Sequence, residues 1–91
     1  MMLSPPLHMP LSEALLKKLT AKFPPGEMSD FKYRGKDATV KADEAGNAIL
    51  LFLGRRMDNG HIKGERFARR LLFDEEGKVL KDHWEMKGKS T

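Results

Sequence analysis

The stretch that decides the fold reads Ala48-Ile49-Leu50-Leu51-Phe52-Leu53 and contains no polar residue. Gly46-Asn47 precedes it and Gly54 follows it, so the run is short and bounded by turn residues, as strands are. A strand without polar positions is normally covered on both faces. We therefore predict an inner strand whose second face needs a cover. The predicted faces are Leu50 and Phe52 on the helix-covered side, and Ile49, Leu51 and Leu53 on the other.

Turn signals on either side of this run divide the second half of the chain into strands. They are Glu44-Ala45-Gly46-Asn47, Asp58-Asn59-Gly60 and Asp74-Glu75-Glu76-Gly77-Lys78, in which glycine or asparagine supplies the positive φ that tight hairpins require. They predict sequential antiparallel strands near 37–43, 48–57, 62–73 and 78–88. The stretch 27–36 stays open between a strand and a loop, because Phe31 and Tyr33 alternate while Gly35 indicates a bulge or loop.

The first half of the chain predicts one helix, from about Ser12 to Phe23. Ser12 is a good N-cap, and Leu11, Leu15, Leu19 and Phe23 recur every four residues to form an apolar stripe. Pro24-Pro25 ends the pattern, because proline can neither continue the hydrogen-bond ladder nor follow a helical residue easily.

The predicted fold class is α+β, with an N-terminal helix packed on a four-stranded antiparallel β-meander. Residues 1–10 are expected to be a flexible leader, and residues 11–91 a single domain. Lys41, Lys81 and Lys87 are expected on outer strands, where they discourage edge pairing. The residues expected on the helix-covered side are Leu15, Leu16, Leu19, Phe23, Val40, Leu50, Phe52, Phe67, Val79, Trp84 and Met86.

Composition limits the class of protein. The chain has 91 residues, 40% of them hydrophobic and 33% charged, and its net charge is +4, which is typical of a small folded domain with a basic surface. It has no cysteine, which suits a reducing cytoplasm and excludes disulfides and thiolate chemistry. The sequence also lacks a membrane-length apolar run and a basic, uninterrupted signal segment. We expect a cytoplasmic protein.

The sequence shows no pattern that indicates catalysis or cofactor binding. His83 stands between carboxylates in Asp82-His83-Trp84-Glu85, but neighbours on a strand face opposite ways, so Asp82 should not orient His83. The spacing of the histidines matches no zinc site. We predict no enzyme activity and no cofactor.

Two functions remain. The first is a non-enzymatic interaction module that associates with a second copy, or with another protein, through the sheet face that needs a cover. The alternative is nucleic-acid or polyanion binding through a basic β-hairpin, with Arg55, Arg56, Lys63, Arg66 and Arg70 as the binding residues. A two-residue Asn59-Gly60 loop would set Arg56 opposite Lys63. Since opposed like charges repel, either a bulge shifts the register, or an anion or acidic side chain sits at the hairpin tip.

Overall fold

The protein is a five-stranded antiparallel sheet with one short helix, in a computed structural model that describes residues 11–90. The strands lie side by side in sequence order. The predicted leader, residues 1–10, lies outside the described residues. The elements are α1 Glu13–Thr20, β1 Met28–Tyr33, β2 Lys36–Ala42, β3 Ala48–Arg56, β4 Ile62–Phe73 and β5 Val79–Ser90.

The α+β class and the N-terminal helix are confirmed, but the expectation of four strands is wrong. The additional strand is β1, in the stretch that the sequence left open. Arg34 and Gly35 both have positive φ, at 50° and 82°, and Tyr33 pairs directly with Lys36. Gly35 is therefore part of a two-residue hairpin turn and not a bulge within a strand.

Helix α1 begins as predicted and ends earlier than predicted. The hydroxyl of Ser12 accepts a hydrogen bond from the backbone N–H of Leu15, 3.2 Å away. The helix stops at Thr20 because the chain turns extended at Ala21. The following residues bind the β2–β3 turn instead, where the N–H of Phe23 donates to the carbonyl of Gly46 at 2.9 Å.

The inner strand β3 is covered by the helix on the opposite face from the predicted one. Leu51 lies between Val40 and Phe67, and all three are fully buried. Leu51 and Leu53 belong to the same core cluster as the helix residues Leu15 and Leu19. Leu50 and Phe52 alternate with them and face the other way. A run of six apolar residues does not reveal which alternate set is inside, so the phase came from pairing with β2 and β4.

Two further residues expected inside lie at the margin of the sheet. Val79 is 54% exposed and Met86 is 47% exposed, because both belong to β5, which is an edge strand. Trp84 packs against the core cluster as expected. Lys41, expected on an outer strand, is in β2, which has neighbours on both sides.

Two glycines allow β3 and β4 to approach closely. Gly54 and Gly64 are directly opposite each other. A Cβ on Gly54 would lie 2.2 Å from the carbonyl oxygen of Lys63, and one on Gly64 would lie 2.1 Å from that of Leu53. Only residues without a side chain fit at this pair.

Candidate binding face

The five basic residues predicted as a binding site are divided between the two faces of the sheet. Arg55 and Lys63 are paired on the side that carries the helix. Arg56, Arg66 and Arg70 occupy alternate positions on the opposite side, as strand geometry requires. We call this opposite side the open face; its central residues are Leu50, Phe52, Arg66 and Ala68. The five residues therefore do not form one stripe.

The register at the β3–β4 turn differs by one residue from a two-residue loop. The N–H of Met57 donates to the carbonyl of His61 at 2.7 Å, and the N–H of Gly60 donates to the carbonyl of Met57 at 2.9 Å. Gly60 has φ 90°, as expected for a three-residue loop that ends in a left-handed glycine. Arg56 consequently pairs with Ile62, and the opposed like charges are Arg55 and Lys63.

Arg56 is bound within the sheet. Its Nη2 lies 3.1 Å from Oδ1 of Asp30 and donates to Oγ1 of Thr39 at 2.9 Å, while its Nη1 donates to the carbonyl of Gly60 at 2.7 Å. Asp30 is on the edge strand β1, and Arg56 is at the end of β3. The side chain of Arg56 therefore connects the β3–β4 turn to β1 across β2. Arg56 is mainly a structural residue.

The neighbouring carboxylate of Asp37 supports the same end of β3. Its Oδ2 accepts the backbone N–H of Arg56 at 2.8 Å, and its Oδ1 lies 2.9 Å from Nζ of Lys32. The hydrogen bond from the Arg56 backbone, followed by that from Lys32, holds the pKa of Asp37 below its ordinary value. Asp37 is thus ionised at neutral pH.

These contacts border a cleft on the open face. It has a volume of about 410 Å³ and is lined by apolar Phe52 and Ile62 together with the polar side chains of Asp30, Thr39 and Arg56. His61 lies at its margin and is exposed. The complete lining is Met28, Asp30, Thr39, Phe52, Arg56, Gly60, His61 and Ile62.

Beside the cleft, the open face carries basic side chains together with the carboxylate of Glu85, which is directly opposite Ala68. Arg66 is directly opposite Phe52, and Lys41 is directly opposite Leu50. Within residues 11–90, Lys41, Arg66 and Arg70 form no ion pair. Phe52 is half-buried, so part of its ring is accessible between these cations. Sequence reasoning missed Phe52 and Lys41 because it placed Phe52 under the helix and Lys41 at an edge.

The histidine segment of β5 brings His83 beside one carboxylate, that of Glu85. Asp82 binds Arg69, at 2.7 and 2.8 Å. His83 and Lys87 both contact Glu85, at 2.8 and 3.1 Å. The hydrogen bond from His83, followed by that from Lys87, lowers the pKa of Glu85 to about 2. Among the residues described, no cluster of three or more acidic or histidine side chains could hold a metal ion.

Comparison of the chain with protein-family models, with curated proteins and with solved structures finds no match. The one described helix is too short to cross a membrane. The structure thus defines a fold, an α+β arrangement with an N-terminal helix on one face of an antiparallel sheet and an open face that carries Phe52 and charged side chains of both signs.

Proposed function

We propose that the protein is a non-enzymatic binding module whose open face binds single-stranded nucleic acid. The observation that carries this proposal is the position of Phe52, which is partly accessible in the middle of the sheet and directly opposite Arg66. An aromatic ring beside cations that have no ion-pair partner among residues 11–90 offers both a surface for a base and charge for a phosphate.

The spacing of the basic side chains suits an extended ligand. Lys41 and Arg66 are on strands that flank β3, which separates their backbones by about 10 Å at 4.7–4.9 Å per strand spacing. Arg66 and Arg70 are four residues apart on one strand, or about 13 Å at 3.3 Å per residue. The cations thus extend across and along the face, and a flexible strand can follow them.

A single strand fits this face better than a duplex does. A duplex hides the faces of its bases, whereas a single strand can place one base against Phe52 while its phosphates meet the arginines. The cleft beside Phe52 adds apolar surface, and its carboxylate, hydroxyl and guanidinium groups can meet the edge of a base.

The other prediction, self-association through a sheet face, now concerns the face with Leu50 and Phe52 instead of the face with Leu51 and Leu53. Leu51 and Leu53, which were expected to need a cover, are buried in the same cluster as the helix residues. Two copies joined through their open faces would also bring Lys41, Arg66 and Arg70 of each copy together, and like charges oppose such a contact. An anionic partner removes that repulsion.

The proposal is tested by the fluorescence anisotropy of a labelled single-stranded oligonucleotide over a series of salt concentrations. The logarithm of the binding constant should fall linearly with the logarithm of salt concentration, and Arg66→Gln should reduce the slope by about one phosphate contact. Phe52→Leu keeps most of the apolar volume but removes the aromatic ring, so it should weaken binding with little change of slope.

Arg55→Gln is the matched control, because Arg55 is an exposed arginine of the same hairpin on the other face of the sheet. It should change binding less than Arg66→Gln does. Absence of binding at low salt would refute the proposal. Equal losses for Arg55→Gln and Arg66→Gln, or equal affinity for duplex, heparin and single strand, would show non-specific attraction by the net charge instead.

A further inference from the structure

The cleft on the open face combines an apolar and a polar lining. Phe52 and Ile62 supply the apolar part, and Asp30, Thr39 and Arg56 supply the polar part. Ile62 is 4% exposed, so this end of β4 is closely packed. The volume of about 410 Å³ lies within the range of small-ligand pockets, about 300–1,000 Å³. The cleft therefore has room for one nucleobase.

The polar side chains of the cleft lie in line with Phe52 across the strands. Asp30 on β1 pairs with Thr39 on β2, and Thr39 pairs with Phe52 on β3. Two strand spacings, each about 4.7–4.9 Å, separate the backbones of Asp30 and Phe52 by about 10 Å. A purine placed over Thr39 can therefore contact the ring of Phe52 with its face and the carboxylate of Asp30 with its edge.

Asp30 presents a fixed carboxylate to this cleft. Its Oδ1 accepts a hydrogen bond from the hydroxyl of Thr39 at 2.7 Å and lies 3.1 Å from Nη2 of Arg56. Its Oδ2 accepts no hydrogen bond within residues 11–90, and the side chain is 65% exposed. A ligand can thus reach one carboxylate oxygen while Thr39 and Arg56 hold the other.

Arg56 adds donors beside this carboxylate. Its guanidinium contacts Asp30, Thr39 and the carbonyl of Gly60, and arginine has more N–H groups than these contacts use. The polar side of the cleft therefore offers a donor next to an acceptor, in a fixed order.

One nucleobase has the complementary edge. The Watson–Crick edge of guanine carries the acceptor O6 beside two adjacent donors, N1–H and the N2 amino group. Adenine, cytosine and thymine lack two adjacent donors, because each places an acceptor next to its donor group. An acceptor at that position repels a carboxylate, so Asp30 favours guanine over the other three bases.

We propose that the cleft recognises guanine in the bound strand, an inference that rests on the proposed function. Oδ2 of Asp30 accepts hydrogen bonds from N1–H and the N2 amino group, since a carboxylate oxygen has two lone pairs. A remaining N–H of Arg56 donates to O6, and Phe52 contacts the face of the base. The neighbouring phosphates meet Arg66 and Arg70.

Fluorescence anisotropy at one salt concentration compares a labelled oligothymidine with the same oligomer carrying one central deoxyguanosine. Guanine should tighten binding about tenfold, as two hydrogen bonds to one base edge do. Deoxyinosine lacks the N2 amino group and should lose most of this gain. 7-Deazadeoxyguanosine keeps the Watson–Crick edge and should retain it. Loss of the gain with 7-deazadeoxyguanosine would overturn the proposal, because N7 would then be the recognised atom.

Asp30→Asn tests the acceptor. The amide oxygen can still accept from Thr39, but the amide N–H groups replace Oδ2 and oppose the donors of guanine, so the preference for guanine should disappear. Asp37→Asn is the matched control, because Asp37 also binds Arg56 and is not among the residues that line the cleft. It removes the same charge and should keep the preference. Equal loss of the preference in both variants would refute the assigned contact, and circular dichroism checks that each variant is folded.

The outcomes separate this inference from the proposed function. Failure of both oligomers to bind at low salt refutes the proposed function and guanine recognition with it. Binding of both oligomers with equal affinity leaves the proposed function intact and refutes guanine recognition alone. Free deoxyguanosine monophosphate should compete poorly, because it lacks the further phosphates that meet Arg66 and Arg70. Competition as strong as that of the oligomer would overturn recognition within a strand.

Discussion

Replacing Leu51 by alanine should destabilise the protein much more than replacing its neighbour Leu50. Leu51 is fully buried between Val40 and Phe67, so Leu51→Ala removes core contacts and leaves a cavity. Substitutions of this kind cost about 2–5 kcal/mol. Leu50 is only half-buried on the open face, where solvent can fill the space, and we expect Leu50→Ala to cost about 1 kcal/mol.

The difference is large compared with the stability of such a chain. A domain of 91 residues has a free energy of unfolding of about 5–14 kcal/mol, at roughly 0.05–0.15 kcal/mol per residue. A gap of about 2 kcal/mol between the two variants changes the unfolding equilibrium almost thirtyfold.

Urea unfolding measures this difference, followed by the fluorescence of Trp84, the single tryptophan, and by circular dichroism. Both probes should give coincident transitions, with a lower midpoint for Leu51→Ala than for Leu50→Ala. If Leu51→Ala does not fold, Leu51→Val and Leu50→Val give the same comparison at about 0.8 kcal/mol per methylene. Equal losses, or a greater loss at Leu50, would refute the observed assignment of the two faces.

Further predictions concern the β3–β4 contact, β5 and its ion pairs. Gly54→Ala should lower the free energy of unfolding, measured with urea, by more than about 2 kcal/mol, because the added Cβ would lie 2.2 Å from a backbone oxygen. Gly77→Ala is the comparison, because φ is +85° there and no atom lies within 4 Å of the added Cβ. It should lower the free energy of unfolding only by the backbone strain, about 1–2 kcal/mol. The depressed pKa of Glu85, about 2, means that its ionised form stabilises the fold above about pH 4.5 and that this contribution is lost as the pH falls towards 2. In a carboxyl NMR titration, His83→Gln should raise the pKa of Glu85, and an unchanged pKa would show that His83 is not its cause. Arg69→Met should lower the free energy of unfolding by about 1–2 kcal/mol, because the guanidinium donates two hydrogen bonds to the carboxylate of Asp82 on β5 and one to the carbonyl of Ala48 on β3. An increase in stability would show that apolar packing at this position contributes more than the ion pair does.

The sequence by itself determined the local elements of this protein. The hairpin turns were correct in position because a positive φ at Gly46, Gly60 and Gly77 is a local requirement that glycine meets. The helix start was correct because capping by Ser12 is also local. Strands β2 to β5 fall within two residues of their predicted bounds, since those bounds are set by turns.

Only the tertiary structure decided which face of β3 is covered, and with it the composition of the candidate site. In an all-apolar run both alternate sets are equally suited to the interior, so Leu51 was selected by its pairing with Val40 and Phe67. That selection turned Phe52 towards Arg66 on the open face. The one-residue register shift at Gly60 likewise set Lys63 opposite Arg55 instead of Arg56, so Lys63 lies on the other face of the sheet from Arg56. Each of these outcomes depends on contacts between residues distant in sequence, which local pattern and spacing do not encode.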